Sequence, residues 1–139
     1  MAHDHNYYQT LIAVADDCPV SSSEVPEERG GKKKSVARIH YEMLAGKPYV
    51  HTQEDVLFTT WLTRQEMPEK SAAEVAQLRS EFFAKPKPCL RTSPLAKRYG
   101  WGFAFDETGH VALCPMESKE YGNLLHRDGV KVLKAMKSS

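Results

Sequence analysis

No apolar run in this chain of 139 residues approaches the roughly 20 residues that cross a bilayer as a helix, so a membrane-spanning helix is excluded. The opening Met1-Ala2-His3-Asp4-His5 is too polar for a secretory signal, and a cytoplasmic location with no membrane partner is expected. Cysteine is scarce. Cys18, Cys89 and Cys114 are odd in number, far apart and without a CxxC pair, which argues against a disulfide framework or a zinc site and for a reducing compartment. Neither sign of charge dominates: the formal net charge is +1, so nothing in the bulk demands nucleic acid or an anionic surface.

Signature motifs are missing as well. HExxH is absent, His3 and His5 alternate at the terminus, and His40, His51, His110 and His126 are scattered, so no metal is expected. The segment Glu28-Arg-Gly-Gly-Lys32-Lys33-Lys34-Ser35 has the residue types of a phosphate cradle but not the spacing GxxxxGK[ST], and no parallel βαβ context surrounds it. A nucleotide triphosphatase is therefore unsupported, and no cofactor is implied. With no repeat, heptad run or second hydrophobic block, residues 1–139 read as one domain, in which 1–6 fray and 19–34 form a long loop without periodicity.

What is present is an α+β pattern. Residues 8–15 are apolar and β-branched, ending at Asp16-Asp17-Cys18-Pro19, and read as a buried strand. Ser35 caps a helix over 36–45, stopped by Gly46 and Pro48; Ala37, Ile39, Tyr41 and Met43 also alternate as in a strand, but the residue types favour helix. Thr52 with Asp55 opens a second helix whose apolar face includes Val56, Leu57, Trp61 and Leu62. Ser71 and Glu74 form the capping box of a third, with Val75, Leu78 and Phe82 on its stripe. Ser93-Pro94 starts a short turn over 94–99. Residues 101–105 and 110–114 flank Asp106-Glu-Thr-Gly109 as a hairpin, with Trp101, Phe103 and Phe105 on one face. A last helix covers 118–125, followed by a basic tail through Lys131, Lys134 and Lys137. The expected architecture is a small antiparallel sheet, made of the N-terminal strand and the C-terminal hairpin, packed against about four to five helices.

Function is expected where charge is unbalanced locally. Between Glu81 and Asp106 there is no acid, yet Lys85, Lys87, Arg91, Lys97 and Arg98 are all present. Arg91, Lys97 and Arg98 can converge on an anion, with the turn after Ser93 adding N–H donors and Trp101 or Tyr99 a stacking surface. Lys32, Lys33 and Lys34 from the long loop form a second basic window. In the alternative, Pro94, Leu95, Tyr99 and Trp101 are core, and the cations cover apolar surface or pair with Glu117 and Glu120. Cys89, between Lys87 and Arg91, is the candidate nucleophile if the chain is an enzyme; Cys114 reads as a core hydrophobe. Of the paired acids, only Asp16 and Asp17 stand where an active-site rim would be.

Most of the chain, residues 6 to 138, resembles a family of small uncharacterised bacterial proteins, a domain of unknown function. The resemblance is carried by Asp17-Cys18-Pro19, Gly30-Gly31-Lys32-Lys33, Tyr41-Glu42-Met43-Leu44, Asp55-Val56-Leu57-Phe58 and Phe82-Phe83, and above all by the block Cys89 to Gly102. Glu117-Ser118, Glu120-Tyr121 and Lys134-Ala135-Met136 complete it. It implies a bacterial source and transfers no catalytic residue. The expected function is a small binding module for an anion, either a phosphorylated small molecule or a nucleic acid. The alternatives are an enzyme acting on a phosphate- or carboxylate-bearing substrate through Arg91 or Arg98, and a protein-interaction module using Phe58/Trp61 or Tyr99/Trp101.

Overall fold

The computed structural model describes residues 6–28, 34–65 and 68–137. Its frame is a five-stranded mixed sheet. The strands are β1 (Thr10–Ala13), β2 (His51–Thr52), β3 (Trp101–Phe105), β4 (His110–Pro115) and β5 (Lys131–Lys134). The helices are α1 (Val36–Leu44), α2 (Gln53–Gln65), α3 (Ala72–Phe83), α4 (Pro94–Arg98) and α5 (Lys119–His126), with a 3₁₀ turn at Leu90–Thr92. The spatial order is β2-β4-β3-β1-β5, antiparallel throughout except for the parallel pair of β1 with β5.

The α+β class is as expected, but the sheet is larger than the strand-plus-hairpin expectation. Residues 8–15 shrink to β1, because Val14 and Ala15 leave the ladder: their N–H groups donate to the Tyr121 hydroxyl and to the Ala96 carbonyl, both at 2.9 Å. The presumed basic tail is β5. Only Val132 and Leu133 separate its lysines, so no period announces a strand, and its partner β1 lies at the other end of the chain. The outward lysines suit an edge position, where they discourage pairing with a further chain. At the opposite edge β2 is too short for any period, and it runs directly into α2.

Helix boundaries follow local chemistry closely. Ser35 Oγ accepts from Arg38 N–H at 3.2 Å, and past the end of α1 Gly46 takes φ +72°, which favours glycine. Thr52 Oγ1 accepts from Asp55 N–H while Asp55 Oδ2 accepts from Thr52 N–H, a reciprocal cap for α2. Ser71 and Glu74 cap α3 in the same way. Among the described residues no helix is long and apolar enough to cross a membrane. The loop after β1 carries no helix or strand over its described residues, 19–28 and 34, yet it is anchored. Ser23 donates from both N–H and Oγ to Glu117, Trp101 Nε1 donates to the Glu24 carbonyl at 2.8 Å, and Pro26 is buried.

Strand alternation divides the core in two. Ile12, Phe103, Phe105 and Val111 face α1, α2 and α4, joining Leu44, Val56, Leu90 and Leu95 in the larger cluster. Leu11, Ala104 and Cys114 face the other way, under Leu124 and Tyr121 of α5. On that second face Gly102 is the point of closest approach: a Cβ there would lie 2.9 Å from both the Ile12 carbonyl oxygen and Tyr121 Cε2. Gly122, in α5, has nothing within 4 Å of the same position. Urea unfolding should therefore show opposite signs for two identical substitutions. Gly102→Ala should lose about 1–3 kcal/mol through overpacking. Gly122→Ala should gain about 0.5–1 kcal/mol from helix propensity. Equal effects of the two would contradict the packing described.

Candidate functional site

On the larger-core side, α1, α2, the C-terminal turn of α3 and the segment 87–93 enclose a cavity of about 350 Å³. From α2 come Leu57, Thr60, Trp61 and Arg64, spaced i, i+3, i+4 and i+7 on one stripe. From α1 come Val36 and His40, an i, i+4 pair, and from α3 comes Phe82. Lys87, Pro88, Thr92 and Ser93 close the remaining side. Trp61 lies 5.3 Å from Phe82 and 5.9 Å from Phe58, centroid to centroid, so one wall is a continuous aromatic surface. The volume falls within the usual range for small-molecule sites.

The polar groups are sorted by depth. His40 is 4% exposed and Ser93 2%, and His40 Nδ1 lies 2.8 Å from Ser93 Oγ. That hydroxyl also accepts from Leu95 N–H at 3.2 Å as the N-cap of α4, so Ser93 holds α4 and the imidazole together. His40 Nε2 has no hydrogen-bond partner among the described residues. Thr60, 7% exposed, is buried with its Oγ1 unpartnered. Such a group costs on the order of 1–3 kcal/mol if left unsatisfied. Nearer solvent, Arg64 donates from Nη1 to the Lys34 carbonyl at 2.7 Å, and the Lys87 ammonium sits 4.1 Å above the Phe82 ring. Among the described residues, two cations and no carboxylate line the cavity.

The residues expected to bind an anion are distributed as follows. Ser93 lines the cavity, whereas Arg91 faces β5, donating from Nε to the Lys134 carbonyl at 2.7 Å. Lys97 and Arg98 end α4 and form no ion pair among the described residues. Trp101 packs against Tyr41 and lines a separate apolar recess of about 210 Å³ with Leu44, Pro48 and Leu113. Lys34 pairs with Glu42 at 2.5 Å. Lys32, Lys33, His3, His5 and all but the last residue of the expected fray at 1–6 lie outside the described residues; Asn6 itself accepts from Glu54 N–H at 3.0 Å. The first basic segment reaches the cavity through Lys87 and Ser93, and the second through the Lys34 carbonyl that accepts from Arg64.

The thiols are unpaired. Cys89 Sγ accepts from the Tyr7 hydroxyl at 3.2 Å, and Tyr7 is pushed up to about 12 by burial and by that bond. Burial raises the Cys114 thiol, as suits a core position. Asp16 forms an ion pair with Lys134, Glu117 is taken by Ser23, and Glu120 faces Arg127. No group of three metal-ligating side chains occurs among the described residues.

Sequence patterns pointed to Trp61 and Lys87 but not to His40, Thr60, Arg64 or Phe82 as a site. One signal was present: a threonine on the inward stripe of α2, where the neighbours are apolar. His40 also has a testable titration. Desolvation pushes it from 6.5 down to about 4, so it is neutral at pH 7. A base with a lowered folded value binds its proton more weakly folded than unfolded. Its stabilising contribution is complete above pH 6.5 and is lost as pH falls toward 4. His40→Gln removes this dependence. The stability gap between wild type and variant should narrow by about 2 kcal/mol between pH 7 and pH 5 in urea unfolding. A gap that stays constant would mean that His40 is not buried neutral.

Searches of curated proteins and of solved structures found no match to this chain. A family model does match, over residues 2–139, essentially the whole sequence in which the cavity is built. The chain belongs to that family, DUF6157, described as a family of unknown function.

Proposed function

We propose that the chain is a binding module for a small organic anion, held in the cavity between α1, α2 and segment 87–93. One observation carries the reading: an apolar cavity of ligand size is lined by Arg64 and Lys87 with no carboxylate among the described residues. Aromatic and aliphatic walls from Trp61, Phe82, Leu57 and Val36 suit an apolar body, and the cations suit its charged end. An enzymatic role has less support, because no carboxylate among the described residues orients His40, and Ser93 Oγ is engaged as a helix cap. Three free thiols fit a reducing compartment, and the cytoplasm is the proposed location. A second reading, oligonucleotide binding over Lys97 and Arg98, rests on those cations lacking ion-pair partners among the described residues.

A thermal-shift panel of aliphatic and aromatic monocarboxylates and phosphate esters at low salt tests the first reading. At least one member at a hundredfold excess over its Kd should stabilise wild type by about 2.7 kcal/mol. The double variant Arg64→Gln/Lys87→Gln should lose that response. No response across the panel, or equal responses in both proteins, would reject the cavity as an anion site. Oligonucleotide binding that falls steeply with salt and is abolished by Lys97→Gln/Arg98→Gln would establish the second reading instead.

A further inference from the structure

We infer that the ligand is a hydroxyaryl carboxylate, bound with its carboxylate at Arg64 and Lys87 and its hydroxyl against His40 and Thr60. This rests on the reading of the cavity as an anion site and adds the chemistry of the ligand's two ends.

The inner end is the more restrictive. His40 offers an unpartnered Nε2 and Thr60 an unpartnered hydroxyl, both on residues more than nine-tenths buried. An ionised group placed there would be desolvated beside neutral partners, which is costly, whereas a hydroxyl both donates and accepts. Thr60 has two accessible χ1 rotamers in a helix, so its hydroxyl can turn toward a ligand that satisfies it. The outer end selects the acid. The lining residues Arg64, half-buried, and Gln65, exposed, belong to the C-terminal turn of α2. The negative end of that helix dipole disfavours a doubly charged phosphate, while a singly charged carboxylate meets the Arg64 fork and Lys87. Between the ends, Thr60 and Arg64 are separated by about 6 Å along the helix axis, at 1.5 Å per residue. One aromatic ring bridges that distance, and the Trp61–Phe82 wall presents ring surfaces to it.

Titration calorimetry at pH 7 with three probes separates the claims: 4-hydroxyphenylacetate, phenylacetate and 4-methylphenol. Wild type should bind the first about tenfold more tightly than either of the others, the value of one good hydrogen bond or charge contact. Thr60→Val, isosteric and relieved of an unpartnered hydroxyl, should fold with an unchanged or raised melting temperature and lose at least about threefold of the preference for the phenol hydroxyl. Arg64→Gln should weaken both acids and leave 4-methylphenol unaffected. Equal binding of 4-hydroxyphenylacetate and phenylacetate by wild type would overturn the assignment of the inner end and leave the anion reading standing. Equal binding of 4-hydroxyphenylacetate and 4-methylphenol would overturn both. If none of the three binds while other acids in the panel do, the hydroxyaryl class fails and the cavity remains an anion site.

Discussion

Two buried side-chain hydrogen bonds fix the segment 89–93, and much of the molecule is arranged around them. Gln53 Oε1 accepts from Leu90 N–H at 2.9 Å, and His40 Nδ1 meets Ser93 Oγ at 2.8 Å. The first ties the segment to the start of α2, the second to the middle of α1. Buried polar groups that find partners are specific in a way that apolar contacts are not, because leaving either partner unpaired carries the full desolvation cost. With both bonds in place, Leu90 and Leu95 enter the larger core fully buried, Arg91 reaches across to the end of β5, and Ser93 starts α4. Ser93 in particular serves two elements with one oxygen, so the floor of the cavity and the start of α4 cannot vary independently.

This accounts for much of the unusual composition of the block from Cys89 to Gly102, which also lends Thr92 and Ser93 to the cavity. Its serine and proline begin a helix, Arg91 clamps a strand, and Gly100 and Gly102 allow close approach. A Cβ on Gly100 would come within 2.9 Å of the Ser22 carbonyl, in addition to requiring φ +80°. The absence of local acids then has a structural account for Arg91, whose partner is a backbone carbonyl, and none for Lys97 and Arg98.

Local chemistry made most of the elements legible. Ser35, Thr52, Ser71, Ser93 and Ser118 each precede a helix with the hydroxyl accepting from its first turn, and Gly109 with φ +84° closes the hairpin as its sequence implies. The edge strands were not legible, for a physical reason. β2 has two residues, and β5 owes its strand character to pairing with β1 over more than a hundred intervening positions, which no local pattern encodes. The site was hidden similarly. Val36 and His40 belong to one helix, Thr60 and Arg64 to another, and the cavity exists only because the third helix ends where Phe82 can face Trp61. Charge clustering along the chain marks Lys87 and Ser93 but gives no sign of Arg64, because a cavity collects its charges from different elements.

The outermost wall of that cavity has an energetic consequence of its own. α3 contributes no buried residue and rests on α2 through Phe82 against Phe58 and Trp61, Arg79 over the Phe58 ring, and the Arg79–Asp55 ion pair at 3.0 Å. Detaching it breaks a few ring contacts and a solvent-exposed salt bridge, not the sheet or either core, so its opening lies far below the cost of global unfolding. A molecule seated against Trp61 and Phe82 would become part of what holds α3 in place. Occupancy would then be written into the amide exchange of residues 72–83, and the helix would act as a hinged door whose latch is the guest itself.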